Sequence, residues 1–285
     1  MTLTLTVPAV RSNRIRRRTA FAVGIALMLF FIVLAIVPGW FAPYDPIAMN
    51  VSAIMQAPSW AHPFGTDNLG RDILSRTIWG AQVDMQIAIF STIFPLIFGT
   101  FVGAIVGHYG GWLDAIFGRL VDLLIAFPFL VIVIALIAML GPVIGLGLKC
   151  MYIAVSIVGW VFYAQLMRAD VQVQRQSDYA AAARVLGYGE WRIIFRHLLP
   201  NAITPIIVYW MTDMALDILL GSSLGYLGLG AQPPTAEWGV IIHDGVNFMS
   251  TGWWMSTFPG IAIVLAGLGF SLVSDGLADI FRRRA

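Results

Sequence analysis

Charge is scarce in this sequence. Asp, Glu, Lys and Arg make up only 11% of its 285 residues, whereas soluble domains carry about 25%. Hydrophobic residues account for 59% of the chain, and its mean hydropathy is +0.83. This composition excludes an ordinary soluble domain and indicates a protein embedded in a lipid bilayer.

Cysteine and lysine each occur once, at Cys150 and Lys149. A single cysteine excludes an internal disulfide, and we interpret Cys150 as a small apolar residue. A phosphate-binding P-loop ends in Gly-Lys followed by Ser or Thr, and Lys149 does not follow a glycine. The glycine-rich run 221–230 therefore cannot hold ATP in that way.

Patterns that carry catalysis or metal binding are also missing. Ser222 and Ser223 have no base nearby, and the four histidines lack metal-ligand spacing. We therefore expect no catalytic residue, no metal site, no cofactor and no nucleic-acid partner. An enzyme is the least supported class of function.

Long apolar runs dominate what is present. About 20 apolar residues cross the hydrocarbon core as a helix, so the pattern predicts an all-α polytopic membrane protein with six transmembrane helices. The first run, 20–37, is longer than the core of a signal peptide, and we interpret it as an uncleaved span. The other runs are approximately 85–107, 117–140, 150–167, 202–224 and 258–273.

The arginines predict how the chain is oriented, because positive charge accumulates on the cytoplasmic side. With the N-terminus inside, all of the 17 basic residues except Arg71, Arg76 and Lys149 lie on that side. The predicted regions are a basic cytoplasmic N-terminus at 1–19, an extracytoplasmic segment at 38–84, a core at 85–276 and a basic cytoplasmic tail at 277–285.

Two spacings predict contacts within the core. Gly99, Gly103 and Gly107 recur every four residues, which favours close packing of helices in lipid. Arg119 and Asp122 lie three residues apart on one helical face, and we expect them to form an ion pair.

Local signals also predict two irregular features. Pro128 is expected to kink the third span. Residues 73–79 are expected to form a short amphipathic helix that lies at the membrane interface. Asp67 and Asp72 precede it, but they lack the spacing of a calcium-binding loop.

The longest polar break in the second half runs from Asp178 to Asn201. Asp178 can cap a short helix, and Gly187 can end that helix in the left-handed conformation. A second short helix is expected over 189–197, before Pro200 opens the next apolar run. The pattern predicts a helix–turn–helix elbow at 178–200 with one face of small residues and one basic face.

Two carboxylic acids fall within the fifth span. Asp213 and Asp217 are one helical turn apart near mid-membrane, where a charge costs at least ~2.5 kcal/mol on insertion scales. The sequence offers no lysine or arginine at that depth. They therefore either face a water-filled path that meets cationic groups or hydrogen-bond to a helix of a partner subunit.

The elbow resembles the EAA motif of ABC importer permeases, in which Glu-Ala-Ala is followed after three residues by Gly and then by an apolar segment ending in Leu-Pro. Ala182 and Ala183 match the two alanines. Gly187 matches the glycine, and residues 199–200 match the end. Ala181 replaces the glutamate, which removes any polar contact that the glutamate would make.

Two further blocks are similar to patterns of the dipeptide/oligopeptide/nickel subfamily of these permeases. Residues 62–81, HPFGTDNLGRDILSRTIWGA, resemble HPLGTDxLGRDxxSRxxYGAR, with Gln82 where arginine is common. Residues 224–239, LGYLGLGAQPPTAEWG, resemble LSFLGLGxQPPxPEWG. The blocks occur in the expected order.

This resemblance implies the transmembrane fold of a type I ABC importer, and import of peptides or similar small solutes across the bacterial cytoplasmic membrane. The implied partners are a homologous second permease, two ABC ATPase subunits and an extracytoplasmic substrate-binding protein. It also implies that the elbow couples to the ATPase, through Asp178, Tyr179, Ala181, Ala182, Ala183, Arg184, Gly187, Arg192, Arg196 and Pro200.

The main alternative is a proton-coupled secondary transporter in which Asp213 and Asp217 relay protons. Such a protein would be self-contained and would need no ATPase. A structural or receptor subunit is a third, weaker possibility.

Overall fold

The structure is a computed structural model that describes residues 10–282, with side chains from Arg17 onward. The predicted basic residues Arg11, Arg14, Arg16, Arg283 and Arg284 therefore lie outside the described side chains. The helices are α1 Val10–Ile36, α2 Pro38–Phe41, α3 Ile73–Tyr109, α4 Gly111–Ile125, α5 Phe129–Ile144, α6 Leu148–Gln174, α7 Asp178–Val185, α8 Glu190–Ile193, α9 Leu199–Tyr226, α10 Trp238–Val246 and α11 Trp254–Arg282.

Five helical stretches are long and apolar enough to cross a membrane, and a sixth is possible if α4 and α5 form one span. Their axes differ by 88°. Pro128 stands between them in an extended conformation with ψ 127° and is the N-cap residue of α5. Its ring prevents a continuous helix, so the predicted kink in the third span is a full break.

The second span begins twelve residues earlier than its apolar run suggests. The Asp72 side chain accepts a hydrogen bond from the Ser75 N–H and caps α3, which continues without interruption to Tyr109. Ile73 and Ile78 are buried in the same core as the spans. The predicted separate interfacial helix at 73–79 is therefore wrong, because its apolar face packs on protein instead of on lipid.

The most extensive helix contact is that of α3 with α6. A Cβ atom added at Gly103 would collide with the backbone of Ala164, and one at Gly107 would press on Arg168. Gly99 meets the Trp160 carbonyl in the same way. The predicted glycine stripe is confirmed as the surface that brings these two helices together.

Charged side chains at one end of the bundle pair differently from the prediction. Among the described residues no ion pair joins Arg119 to Asp122. Arg168 on α6 instead donates two hydrogen bonds to Asp114 on α4, one of them 2.7 Å long. Arg119 and Asp122 are both exposed, where an ion pair gains little over the hydration of the separate charges.

The opposite end of the bundle is covered by residues 42–72 and α10. The Trp238 indole is fully buried and donates to the Thr77 carbonyl at 2.9 Å. The Glu237 carboxylate caps α10 by accepting from the Gly239 and Val240 N–H groups. Burial raises the pKa of Glu237, which faces Asp84 of α3. These contacts lock α10 onto α3.

Candidate functional site

The elbow at 178–200 forms the opposite end of the molecule from α10. Its first helix, α7, follows Ser177, which occupies the cap position, whereas Asp178 is the first helical residue. The prediction that Asp178 caps the helix is therefore wrong by one residue. Asp178 lies in the first turn, where a carboxylate is favoured by the helix dipole.

Gly187 ends α7 as predicted. Its φ is +74°, and the next residue, Tyr188, donates its N–H to the Ala183 carbonyl at 3.1 Å. This is the hydrogen-bond pattern of a Schellman ending, which requires a left-handed residue. The prediction of a glycine-terminated turn is confirmed.

The second limb of the elbow differs from the prediction. α8 runs into a π-helical turn at Ile194–Leu198 and then directly into α9, so the helical stretch continues from Glu190 to Tyr226. Pro200 does not begin a new run, because it lies in the first turn of α9, where its missing N–H is tolerated. The elbow and the fifth span are one helical unit.

The small-residue face of α7 is divided between two roles. Ala180 and Ala183 are buried against the second limb, in a cluster that includes Ile193, Ile194 and Leu198. Ala181 and Ala182 are exposed, as is Tyr179. Of the three alanines that align with the EAA pattern, two are accessible to a partner and one holds the elbow together.

The basic side chains of the elbow are held in part by the chain itself. Arg184 donates to the Arg175 carbonyl at 2.9 Å. The Arg192 guanidinium lies 4.2 Å from the centre of the Tyr188 ring, which is a cation–π distance. Arg196 is exposed on the same limb.

Apolar side chains around the turn were missed by sequence reasoning. Val185 is 88% exposed, Leu186 69% and Trp191 56%. They flank Gly187 and form an apolar knob beside the basic residues. The sequence contained a signal for this exposure. Apolar residues stand at the predicted end of a helix, where they have no partner in the chain to pack against.

The elbow is fastened to the spans by polar contacts. His108 at the end of α3 contacts Glu190 through its ring nitrogen Nε2. The His108 carbonyl accepts from Arg175 at 2.9 Å. Gln172 also binds Asp114, at 2.8 Å. Of these contacts, the one between His108 and Glu190 joins the elbow itself to α3.

Asp213 and Asp217 lie on the wall of a cavity of about 430 Å³ between α3, α5, α6 and α9. The Tyr163 hydroxyl donates to Asp213 Oδ2 at 2.6 Å, and the Tyr209 ring packs edge-on against the Tyr163 ring with their centres 4.9 Å apart. The remaining lining is mostly apolar and includes Pro95, Phe129, Phe162, Leu216 and Leu220. The structure thus brings the two predicted aspartates together at one cavity.

A second cavity of about 880 Å³ lies on the elbow side of the first. Its lining is more polar and includes Asp170, Gln174, Asn201 and Thr204. Tyr209 borders both cavities. The two volumes therefore follow one another along α9.

The block at 62–81 forms an ion-pair network at the α10 end. Arg71 binds Asp67 at 2.6 Å and Asp244 of α10 at 2.9 Å. Arg76 is almost fully buried and also reaches Asp244, at 3.4 Å. His62 binds Asp72 at 2.8 Å. No pattern in the sequence predicts that Asp244 completes this network.

Comparison with known families gives two matches. Residues 99–285 match the family described as binding-protein-dependent transport system inner membrane component. Residues 10–58 match the family described as N-terminal TM domain of oligopeptide transport permease C.

Curated relatives match almost the whole chain. The dipeptide transport system permease protein of Alkalihalophilus pseudofirmus is 38% identical over 94% of this chain and 86% of its own length. The probable D,D-dipeptide permease of Escherichia coli is 38% identical over 93% and 86%. The glutathione transport system permease of Pectobacterium atrosepticum is 36% identical over 93% and 87%.

Among solved structures, the methionine ABC transporter MetNI in an inward-facing conformation matches with a TM-score of 0.57 at 18% identity. The match covers 72% of this chain and 94% of that one. It confirms the predicted transmembrane fold of a type I ABC importer.

Proposed function

Because the chain belongs to the family of binding-protein-dependent transport system inner membrane components, we propose that it is one of two permease subunits of an ATP-driven importer of peptides or similar small solutes. It lies in the bacterial cytoplasmic membrane with both termini in the cytoplasm. A homologous second permease, two ABC ATPase subunits and an extracytoplasmic binding protein complete the importer. The proton-coupled alternative finds no support among the relatives.

The observation that carries this proposal is the elbow. The turn of the elbow exposes the apolar side chains of Val185, Leu186 and Trp191. The cationic side chain of Arg196 is also exposed on the elbow. An apolar anchor with a polar rim is the usual form of a protein docking site. We infer that this knob enters a groove on the ATPase, together with the exposed residues Asp178, Tyr179, Ala181, Ala182, Arg184 and Arg192.

The rest of the mechanism follows from the continuous helical stretch that joins the elbow to α9. ATP binding moves the ATPases together, the elbow follows, and α9 carries the displacement to the cavity wall at Asp213 and Asp217. The cavity then opens toward the binding protein. After hydrolysis, the path opens past Tyr209 into the second cavity, which releases the solute to the cytoplasm.

A cross-linking experiment tests the docking surface. Cys150 is buried, so Val185→Cys introduces one accessible thiol. We expect Val185→Cys in native membranes to cross-link to a co-purifying P-loop ATPase, identified by mass spectrometry.

Trp60→Cys is the matched control, because Trp60 is fully exposed in the segment 42–72 at the other end. It should give no ATPase adduct. An adduct from Trp60→Cys alone, or a chain that purifies without any ATPase, would count against the proposed function.

A further inference from the structure

We propose that Asp217 binds the protonated amino group of the solute during its passage through the membrane. This inference rests on the proposed function and gives it a substrate class, namely solutes with a free ammonium group. The permease itself would then contribute to the selection of the solute, in addition to the binding protein.

Asp217 is the more available of the two carboxyl groups. It is 96% buried, since only 4% of its surface is accessible, and its Oδ2 atom has no hydrogen-bond partner within residues 17–282. A buried carboxylate without a partner is unfavourable by several kcal/mol. Asp217 is one of the residues that line the cavity, and a cationic ligand there would supply the missing partner.

Asp213 differs because its Oδ2 atom already has a partner. The Tyr163 hydroxyl donates to it at 2.6 Å. This phenol donor stabilises the carboxylate and restricts its rotamer. We therefore assign Asp213 a positioning role, in which its negative charge strengthens the attraction of a cation to Asp217.

A second acceptor completes the site. The Ser91 hydroxyl is 99% buried, has no hydrogen-bond partner in the described part of the chain, and lines the same cavity. An ammonium group carries three N–H donors. Asp217 Oδ2 and Ser91 Oγ offer two acceptors on the same cavity wall, contributed by α9 and α3.

No lysine or arginine is found among the described side chains that line this cavity. A basic side chain of the protein would otherwise pair with the carboxylates, and they could not then bind the solute. The volume of about 430 Å³ lies within the range of small-molecule sites. The mostly apolar remainder of the wall suits short peptides, whose side chains vary while the amino terminus stays constant.

The second cavity is lined by a further acid, Asp170, and by one basic residue, Arg282. Asp170 Oδ2 is buried and finds no partner between residues 17 and 282, and Asp170 lines that cavity. A cation leaving Asp217 would pass Tyr209 and meet this acid next. The order of these groups provides a route for an ammonium group toward the elbow side.

The experiment measures binding to the purified four-subunit importer in nanodiscs without its binding protein. The probes are radiolabelled alanyl-alanine and N-acetyl-alanyl-alanine, which differ at the amino group. We expect the wild-type complex to bind alanyl-alanine about tenfold more tightly than the Asp217→Asn complex, since a charge-assisted hydrogen bond is lost. The acetylated probe should bind the two complexes equally.

Two further variants serve as controls. Asp275→Asn changes an exposed carboxylate of α11, outside this cavity, and should bind like the wild type. Ser91→Ala should weaken binding of alanyl-alanine about threefold without affecting the acetylated probe.

Equal binding of both probes, equal binding by the wild type and Asp217→Asn, or no binding by the wild type at 10 mM alanyl-alanine would overturn the ammonium site. Loss of the second permease from the Asp217→Asn complex would do so too, because it would indicate a structural contact between subunits. The importer assignment is judged separately by the Val185→Cys cross-link and co-purifying ATPase, so the two proposals can fail independently.

Discussion

Single residues decide how the elbow turns. Gly187 has a φ of +74°, and a Cβ added there would meet nothing within 4 Å. The requirement for glycine is therefore purely conformational and does not come from crowding. Gly189, two residues on, has a φ of −65° and equally open surroundings, so the two positions differ only in backbone conformation.

Replacing Gly187 by valine is expected to strain the turn by about 1–2 kcal/mol, because a β-branched residue is unfavourable in the left-handed region. The elbow should relax into another conformation and lower the amount of solute transported per ATP hydrolysed. The measurement is parallel assay of uptake and ATP hydrolysis in proteoliposomes.

Gly189→Val is the matched control and should retain normal coupling. Normal coupling in Gly187→Val would contradict the conformational role of the turn, and equal damage from both variants would point to lost docking area instead.

Sequence reasoning predicted some residues of the elbow better than others. Gly187 was predictable because one local rule, the left-handed helix ending, applies whatever the surroundings. Asp178 was misplaced by one residue because Ser177 and Asp178 are both good caps. Ala183 could not be separated from Ala182, because only the path of the second limb decides which alanine is covered.

At the scale of elements, the contact between α3 and α6 is the most extensive between any two helices of the described chain. The two helices approach until the backbone of one fills the gap left by the glycines of the other. In lipid such contacts rely on dispersion and shape, since both partners and the solvent are apolar.

Gly103→Ala is expected to destabilise the protein by about 1–3 kcal/mol, because the added methyl group overpacks the contact with Ala164. Gly267→Ala on α11 should be neutral or slightly stabilising, because its Cβ would meet nothing within 4 Å. Thermal unfolding of the purified complex checks both. A similar midpoint for the two variants would contradict the packing role of the stripe.

The apolar runs predicted which segments cross the membrane but not where the helices end. α3 begins at Ile73 because Asp72 caps it, and hydropathy gives no weight to a polar residue at a helix start. The bend of 88° after α4 depends on tertiary packing, because a proline can kink or break a helix with the same local sequence. The sequence did not predict that the elbow and the fifth span form one helical unit, because Pro200 is typical of the start of a new helix.

Across the whole molecule, the ion pairs gather at the two ends. Asp67, Arg71, Arg76 and Asp244 form one group beneath α10. Asp114 with Arg168 and His108 with Glu190 form another beside the elbow. Between them lie acids without a basic partner among the described residues, namely Asp84, Asp213 and Asp217. Ion pairs therefore stabilise the two ends of the molecule, while the acids between them remain available to bind a cation.

Asp244→Asn is expected to destabilise the protein by about 2–3 kcal/mol, because two buried arginines lose a carboxylate partner. Asp279→Asn should change stability by less than about 1 kcal/mol, because its partner Arg17 is 58% exposed. Comparison of unfolding midpoints at fixed detergent concentration tests both. Equal effects would mean that the network under α10 is no more than a surface ion pair.

Of the molecule as a whole, the sequence predicted the class of fold, and the structure and relatives confirm it. Composition and the three motif blocks were sufficient for that. The network at Asp244 was not predictable, because it joins residues more than 160 positions apart in sequence. The cavity was not predictable either, since a void depends on how four helices splay and not on any one of them.

The helical stretch from Glu190 to Tyr226 is continuous, so the elbow and the cavity wall belong to one rigid element. At 1.5 Å per residue, Asp217 stands about 40 Å from Glu190, so a tilt of about 10° at the elbow would carry it about 7 Å. Tyr163 belongs to a different helix, and its 2.6 Å bond to Asp213 cannot stretch that far. A movement of α9 by that distance relative to α6 would therefore break this bond, and the Tyr163 phenol would resist it.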